Sequence, residues 1–241
     1  MWSVRTGLSR RGDPTGDPGL SDARNAPACL RIFLAGVGGQ GVVTAAGWLA
    51  LAADSVGLRV VVGQAHNMSQ RGGCVSAAVV IEAGPVAAIG PREADVLVAL
   101  EPMEAARAAH LLRPQGLALV DPHPIPPFTL AQAGLEYPAP HLLLADLEQA
   151  TDRCFRIPAH RMAAEGGDPR DANLLHLGAL QGLGALPWKA DDLRRAVLQN
   201  APTTWEERVV LALQRGQALG RELSIGTCEE HLVEPSKGEL P

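Results

Sequence analysis

The sequence predicts an α/β domain with three layers, in which helices cover both faces of a mostly parallel β-sheet. Three observations predict it. Short apolar segments alternate with helical patterns along the chain, as in repeated strand–helix units. Two of the predicted strands, 59–63 and 95–100, are apolar at nearly every position, which strands covered on both faces require. Hydrophobic residues make up 46% of the chain and aromatic residues only 3%, so we expect a core of small aliphatic side chains.

The first half of the chain supplies most of the predicted strands. Gly57 closes the first helix, and Ala83-Gly84-Pro85 is the predicted turn of an antiparallel hairpin that inserts into the sheet. Pro102 fits the first turn of the second helix. In chain order we predict the strand 30–35, the helix 42–56, the strand 59–63, the hairpin strands 75–82 and 86–89, the strand 95–100, the helix 103–112 and the strand 116–120.

The second half begins with a rigid loop and then becomes a C-terminal helical section. Four prolines in the segment 121–127 exclude a helix or a central strand, because proline fixes φ and lacks an N–H donor. Gly178 and Gly182 lie four residues apart in an almost wholly apolar helix, a spacing that lets another helix or a subunit approach closely. The predicted elements are the helix 142–152, a short strand at 155–158, and the helices 161–165, 173–183 and 203–222.

Composition limits the number of domains and the kinds of partner. A chain of 241 residues suits one large domain, predicted over 30–223 between a disordered N-terminal extension (1–29) and a flexible tail (224–241). A formal net charge of −5 offers no basic field for nucleic acid. The extension lacks the apolar segment of a secretory signal, and no apolar stretch approaches the roughly 18 residues of a membrane span. We therefore expect a cytoplasmic protein that binds neither nucleic acid nor membrane.

The most informative segment joins the first strand to the first helix. Gly36, Gly38 and Gly41 follow the G-x-G-x-x-G pattern of Rossmann-like domains, and an Ala-rich helix comes next. Glycines let backbone N–H groups approach an anion, and the helix N-terminus adds partial positive charge. The second strand ends without the acidic residue that the ribose of a dinucleotide needs, which argues against a nicotinamide cofactor. Contact with another phosphate and close strand–helix packing both remain open.

A second glycine-bearing segment, HNMSQRGG at 66–73, follows the next strand. Arg71 carries a planar fork of donors that suits a carboxylate or a phosphate; the alternative is an ion pair at a subunit interface. His66 could move a proton near neutral pH, although a lone histidine is more often a hydrogen-bonded structural residue. Because the two glycine segments follow successive strands, we expect them to form one site.

The chain shows no complete set of reactive groups. Cys29, Cys74, Cys154 and Cys228 include no C-x-x-C pair, so we expect reduced thiols rather than a zinc or iron–sulfur site held by this chain, and Cys74 is not expected to be catalytic. The histidines share no metal-ligand spacing, and neither a nucleophilic serine nor paired carboxylates stand out. A ligand-shaped site without a reactive group indicates one subunit of a larger catalyst.

Four segments together resemble the gamma-type domain of the 2-oxoacid:ferredoxin oxidoreductases: GVGGQGVVTAA at 36–46, HNMSQRGGCV at 66–75, ADVLVALEPMEA at 94–105 and NLLHLGAL at 173–180. The resemblance extends over about residues 31–219, in the order of the family. Within the family, the indolepyruvate-oxidising members are the most similar. Asn67 and Cys74 depart from the family, which more often has a small residue and Ser or Thr there.

The resemblance implies a division of labour between two chains. A large alpha subunit would carry thiamine diphosphate and the iron–sulfur clusters, while this chain would bind no cofactor alone. The implied reaction is oxidative decarboxylation of indolepyruvate with coenzyme A as co-substrate, giving aryl-acetyl-CoA, CO2 and reduced ferredoxin. Pyruvate, branched-chain 2-oxoacids and 2-oxoglutarate are alternative substrates, and a non-catalytic nucleotide-binding module is the alternative function. The two matched loops contribute ten candidate contacts to a ligand or to the partner subunit: Gly36, Gly38, Gly39, Gln40, Gly41, Ser69, Gln70, Arg71, Gly72 and Gly73.

Overall fold

The computed structural model describes residues 29–66, 73–82, 84–127, 130 and 132–225. These residues form an α/β domain built on a six-stranded sheet. The elements are β1 (Leu30–Val37), α1 (Val42–Ser55), β2 (Val60–His66), β3 (Cys74–Ile81), β4 (Ala94–Ala99), α2 (Pro102–Ala108), β5 (Leu112–Val120), α3 (Pro140–Ala150), β6 (Cys154–Arg156), α4 (Ala159–Glu165), α5 (Ala172–Gly182), α6 (Ala190–Asn200) and α7 (Glu206–Ile225). Short 3-10 turns precede β5, α5 and α7.

The strand order is β2-β3-β1-β4-β5-β6, and the sheet is mostly parallel, as predicted. β1, β4, β5 and β6 pair in parallel, each with the next. β3 is antiparallel to both of its neighbours, β1 and β2. The connection between β2 and β3 is too short for the crossover that a parallel pair needs. The reversal of β3 follows from that length.

Helices cover both faces of the sheet and divide the core in two, which confirms the three-layer prediction. On one face, the larger cluster joins strand residues such as Ile32 and Val98 to α1 and to α4, α5, α6 and α7. On the other face, Leu97 and Val120 pack against α2 and α3. Alanine, valine and leucine dominate both clusters.

The hairpin in the sheet uses different strands from those predicted. β3 pairs with β2 on one side and with β1 on the other along its whole length. No edge of β3 is left for the segment 86–89, which is not a strand. Ala87 instead lies against Gly63 of β2, where a Cβ would come within 2.9 Å of the Ala87 carbonyl oxygen. The prediction of a strand at 86–89 was therefore wrong.

The sequence interpretation also missed helix α6. Its apolar residues Leu193, Ala196 and Val197 are buried in the larger cluster. This i, i+3, i+4 spacing is that of an amphipathic helix. At its start, the Asp192 carboxylate accepts a hydrogen bond from the backbone N–H of Lys189 at 3.1 Å. The pattern was therefore present in the sequence. Helix α2, by contrast, ends at Ala108 rather than at 112, because β5 already begins at Leu112.

Helices α5 and α7 lie against each other through four glycines, which we call the glycine seam: Gly178, Gly182, Gly216 and Gly220. At each of them a Cβ would come within 2.1–2.3 Å of a backbone carbonyl oxygen of the other helix. Contacts advance along both helices in the same direction, so the two helices are parallel. The close approach predicted from Gly178 and Gly182 is confirmed, and the partner is a helix of the same chain.

Within the described ranges, no helix is both long and apolar enough to cross a bilayer. Helix α7 continues to Ile225, two residues beyond the predicted end of the domain. The predicted extension (1–29) and tail (224–241) fall almost wholly outside the described residues. Both remain predictions, as does the domain boundary between them.

Candidate functional site

The carboxyl ends of β1, β4 and β5 meet at one edge of the sheet, and the candidate site lies there. β3 runs in the opposite direction, so its first residue, Cys74, pairs with Val37 at the end of β1. The N–H of Gly38 donates to the carbonyl of Gly73 at 3.0 Å. The two glycine segments thus meet at this point. Edges where strand connections diverge are the usual ligand sites of parallel sheets.

Two glycines of the first loop are required by its internal packing. A Cβ at Gly36 would lie 2.8 Å from Gln40 Oε1 and 2.9 Å from Val42 Cγ2. Gly41, at the N-cap of α1, has φ of 79°, and a Cβ there would lie 2.7 Å from Asn173 Nδ2. For Gly36 and Gly41, the packing interpretation of the G-x-G-x-x-G pattern therefore accounts for the glycine.

The middle of the loop is open. Gly38 and Gly39 are exposed, Gly39 has φ of 100°, and a Cβ at Gly39 would meet no atom within 4 Å. α1 has no side-chain cap, and its first intrahelical bond runs from Ala45 N–H to Gly41. The N–H groups of its first turn therefore have no acceptor within the helix. This part of the loop can receive an anionic group from outside the chain.

Gln40 is used within the chain. Its Oε1 accepts from the N–H of Val37 at 2.8 Å, and its Nε2 donates to the carbonyl of Leu100 at 2.5 Å. The side chain thereby joins the end of β1 to the residue that follows β4. Both ends of the Gln40 amide are therefore bonded within the chain and shape the loop; a contact of Gln40 with a ligand or partner stays a prediction.

Asn173, at the start of α5, supports the loop from below, and the sequence interpretation did not single it out. Its Nδ2 donates to the carbonyl of Gly41 at a long 3.5 Å. Its Oδ1 is buried and has no hydrogen-bond donor among the described residues. A buried polar atom without a partner is rare in proteins and calls for an explanation. The signal in the sequence was the matched segment NLLHLGAL.

The second glycine segment is described only at its two ends. Backbone pairing places His66 opposite Val75 at the end of β2, and Gly73 is buried against the first loop. Ser69, Gln70, Arg71 and Gly72 lie outside the described residues, as does the side chain of His66. Their assignment to a ligand or a partner remains a prediction.

Next to this segment, Cys74 faces two charged residues of α2. Burial first, and the neighbouring Glu104 carboxylate second, raise the pKa of the Cys74 thiol to about 11. Glu104 is itself buried; its Oε1 accepts from Arg107 at 2.7 Å, and its Oε2 has no donor among the described residues. A thiol held in its protonated form is a poor nucleophile, which agrees with the expectation that Cys74 is not catalytic.

Glu101, the second residue after β4, is a buried anchor for the loops that cross this edge. Its Oε2 accepts from the N–H of Glu104 at 3.0 Å and caps α2. Its Oε1 accepts from the N–H of Ile125 at 3.3 Å and from the hydroxyl of Tyr137. Burial, and then the hydrogen bond to Glu101, raise the pKa of Tyr137 above its ordinary value. Every oxygen of this carboxylate is therefore used in holding backbone or the tyrosine.

Asp121, directly after β5, holds two histidines that the sequence interpretation passed over. Its buried carboxylate accepts from the backbone N–H of His123 at 3.0 Å and of His160 at 2.6 Å. The two imidazole rings stack with their centroids 3.9 Å apart and an interplanar angle of 8°. His123 and His160 are far apart in the sequence, so no local pattern indicated this contact. Within the described ranges, no group of three His, Cys, Asp or Glu side chains is placed to hold a metal ion.

Known proteins are similar to this chain over most of its length. The family model described as "Pyruvate ferredoxin/flavodoxin oxidoreductase" matches residues 31–217. The chain is 32% identical over 187 residues to the indolepyruvate oxidoreductase subunit IorB of Archaeoglobus fulgidus, covering 78% of this chain and 93% of that protein. It is 31% identical to the same subunit of Pyrococcus horikoshii, covering 80% and 96%. More distant matches are the ketoisovalerate oxidoreductase subunit VorA of Methanothermobacter marburgensis and the 2-oxoglutarate synthase subunit KorC of Methanocaldococcus jannaschii, at 30% and 28% identity.

Solved structures share the fold. The gamma subunit of a keto/oxoacid ferredoxin oxidoreductase from Geobacter sulfurreducens superposes with a TM-score of 0.60 at 24% identity, covering 80% of this chain and 98% of that chain. A 2-oxoglutarate:ferredoxin oxidoreductase from Magnetococcus marinus gives a TM-score of 0.59 at 20% identity. The match covers 82% of this chain but only 31% of that chain. The same fold therefore occurs both as a separate chain and as part of a longer one.

Proposed function

The chain belongs to the pyruvate ferredoxin/flavodoxin oxidoreductase family, and on that premise we propose that it is the small subunit of an indolepyruvate:ferredoxin oxidoreductase. Membership makes it a subunit of a 2-oxoacid:ferredoxin oxidoreductase. Four relatives at 30–32% identity, all named indolepyruvate oxidoreductase subunit IorB, favour indolepyruvate as the substrate. The ketoisovalerate and 2-oxoglutarate relatives make branched-chain 2-oxoacids and 2-oxoglutarate the second candidates.

In this proposal a large alpha subunit binds thiamine diphosphate and the iron–sulfur clusters and passes electrons to ferredoxin in the cytoplasm. Coenzyme A is the co-substrate. Thiamine diphosphate, when bound there, supplies the electron sink for decarboxylation. The present chain supplies a rigid surface that positions anionic groups and excludes water from them. A solved relative of the same fold is described with 2-oxoglutarate, coenzyme A and succinyl-CoA bound, which supports coenzyme A as a ligand of such assemblies.

One observation carries the proposal for this chain: the middle of the first glycine loop is open, while Gly36, Gln40 and Gly41 beside it are fixed by contacts within the described part of the chain. Gly38 and Gly39 are exposed above the first turn of α1, whose N–H groups favour a phosphate or a carboxylate. At Gly41, the end of the loop, Asn173 Oδ1 lacks a donor among the described residues. A phosphate of coenzyme A and an acidic side chain of the alpha subunit would both suit the N–H groups of this first turn, which have no acceptor within the helix. Gln40 and Gly36 keep the loop in shape for either.

Reconstitution with the large thiamine-binding subunit tests the proposal. The full chain and that subunit are purified together, and reduction of ferredoxin is measured with indolepyruvate, pyruvate, 2-oxoisovalerate and 2-oxoglutarate in turn. We expect a stable complex whose activity with indolepyruvate exceeds that with the other three. If the two chains do not associate, or if the large subunit alone is as active, the proposal is wrong. Higher activity with another 2-oxoacid would keep the family reaction and replace the substrate.

Arg71 provides a test of the second loop. We expect Arg71→Ala to lower activity or assembly far more than Arg194→Ala, because Arg194 makes only an exposed ion pair with Asp191 within α6. If the two variants have equal effects, the second loop does not contact a ligand or the partner through Arg71, and the prediction is wrong.

Calorimetric titration of the chain with NAD, NADP, FAD and coenzyme A addresses the remaining alternative. Tight binding of a dinucleotide would favour a nucleotide-binding module over an oxidoreductase subunit. The end of β2 carries Gln64 and Ala65 where a ribose-binding acid would be expected, so we expect no dinucleotide binding.

A further inference from the structure

The loop 121–127 after β5 has three backbone N–H groups, and each of them donates a hydrogen bond. In residues 121–127, four of the seven are prolines. The three remaining amides donate to Ala99, to the carboxylate of Asp121 and to the carboxylate of Glu101; they belong to Asp121, His123 and Ile125. A segment with so few amides, each bonded, is held in one conformation as long as these acceptors stay in place.

The middle hydrogen bond lies beside a stacked pair of imidazole rings. Asp121 holds the backbone of His123 in the loop and of His160 in α4, and the two rings lie face to face at 3.9 Å. His160 and Asp121 are the titratable groups that face His123. On α5, the fully buried His176 is influenced by the same Asp121 carboxylate. The Asp121 carboxylate therefore interacts with three histidines, His123, His160 and His176.

Two parallel imidazoles at this distance tolerate one proton between them but oppose a second. Like charges a few ångströms apart repel one another, and Asp121 can offset only one of them. Burial and the neighbouring His160 already hold the pKa of His123 below its ordinary value. Burial likewise lowers the pKa of His176 below its ordinary value.

We propose that the stacked pair His123 and His160 is a proton-sensitive latch, which holds the loop 121–127 against α4 at neutral pH and releases it when both rings are protonated. The release reaches the candidate site through contacts already described. Ile125 is bonded to Glu101, and the adjoining Leu100 is the residue whose carbonyl accepts from Gln40. Acidification would thus loosen the support of the first glycine loop. This inference is independent of the substrate and of the proposed reaction.

Hydrogen–deuterium exchange of the full chain, measured by mass spectrometry between neutral pH and about pH 5, tests the latch. Exchange is corrected for its chemical pH dependence with an unstructured reference peptide. We expect protection of the peptide that contains 121–127 to fall by about tenfold on acidification, while peptides from α5 keep their protection. No fall in the wild-type chain would overturn the proposal.

Two variants and a matched control identify the groups responsible. His123→Phe and His160→Phe each keep a stacked aromatic ring but remove one of the two charges, so each should lose the acid-dependent fall. His141→Phe changes an exposed histidine of α3 and should behave as the wild type does. If both stack variants keep the fall, or if His141→Phe abolishes it, the proposal is wrong. Circular dichroism confirms that each variant is folded at neutral pH.

Discussion

The glycine loop after β1 and the glycine seam between α5 and α7 use the same residue for different physical reasons. In the seam, every Cβ would run into the backbone of the neighbouring helix at 2.1–2.3 Å. In the loop, Gly39 has empty space around it, and its φ of 100° is what favours glycine. A seam glycine is therefore fixed by what lies inside the domain. An open loop glycine leaves room for something outside it.

The seam should give the largest effect on stability. A Cβ in Gly216→Ala would lie 2.1 Å from the carbonyl oxygen of Leu175, so the helices must separate, and we expect a loss of at least about 3 kcal/mol in the free energy of unfolding. Gly47→Ala in α1 is the control, because a Cβ at that position would meet no atom within 4 Å. That change should instead stabilise the chain by about 0.5–1 kcal/mol. Urea unfolding of both variants measures the difference, and equal effects would refute the distinction.

Loss of the Gln40 side chain should have the next largest effect. Gln40→Ala leaves the N–H of Val37 and the carbonyl of Leu100 without their partner, and we expect a loss of about 1–3 kcal/mol. Gln199→Ala, at an exposed position of α6, should change the free energy of unfolding little. If both glutamines behave alike in urea unfolding, Gln40 does not join the two strand ends as described.

An ion-pair cluster at the beginning of α7, before the glycine seam, should make the free energy of unfolding depend on pH. Arg208 of α7 pairs with Asp168 and lies 3.1 Å from Asp171. The hydrogen bond from the Arg170 side chain, and then the charge of Arg208, lower the pKa of Asp168 well below its usual range. A carboxyl group with a lowered pKa in the folded state adds stability above its unfolded value of about 4 and loses it as the pH falls below that.

Removing this carboxylate isolates its contribution. Asp168→Asn should unfold more easily at neutral pH and show a smaller loss of stability from pH 5 downward. Burial, and to a smaller extent the charge of Asp168, raise the pKa of Asp171, which acts in the opposite direction. Only the burial contribution is common to both proteins. Thermal unfolding at a series of pH values measures the two curves. If stability falls with pH by the same amount in the wild type and the variant, Asp168 does not cause the acid dependence.

The smallest effect on stability, and the sharpest on function, is expected at the open loop. Gly39→Asn and Gly57→Asn impose similar backbone strain, because both glycines have positive φ and free space around them. We expect similar small losses of stability in the two variants. Only Gly39→Asn should impair assembly or activity in the reconstituted complex, since Gly57 lies at the other end of α1. Equal activity of the two variants would show that the loop contacts neither ligand nor partner.

Local patterns in the sequence predicted the sheet, most of the helices and the close approach at Gly178 and Gly182. Local patterns were insufficient where a segment's structure depends on strand pairing between distant parts of the chain. The segment 86–89 looks like a strand, but β3 already has a neighbour on each side. Whether a segment joins a sheet depends on a free strand edge beside it, and this cannot be inferred from the residues of that segment alone.

The candidate site shows the same limit. The glycine spacing indicated the loop, yet which glycines serve packing became visible only with Val42 and Asn173 in place. Asp121, His123 and His160 lie up to 39 residues apart in the chain and carry no spacing that a motif would recognise. Their contact exists because β5 and α4 bring them together at one edge.

The glycine seam also sets when the domain is completed during its synthesis. α7 is the last described helix, and its residues Val209, Ala212 and Leu213 belong to the main core. A nascent chain that has reached only α6 has its sheet but an uncovered α5, with the groove at Gly178 and Gly182 open to any helix of matching shape. The α7 of a second copy has the same sequence and therefore the matching shape. A chain shortened before residue 206 is expected to bind the α7 of an intact neighbour rather than fold alone.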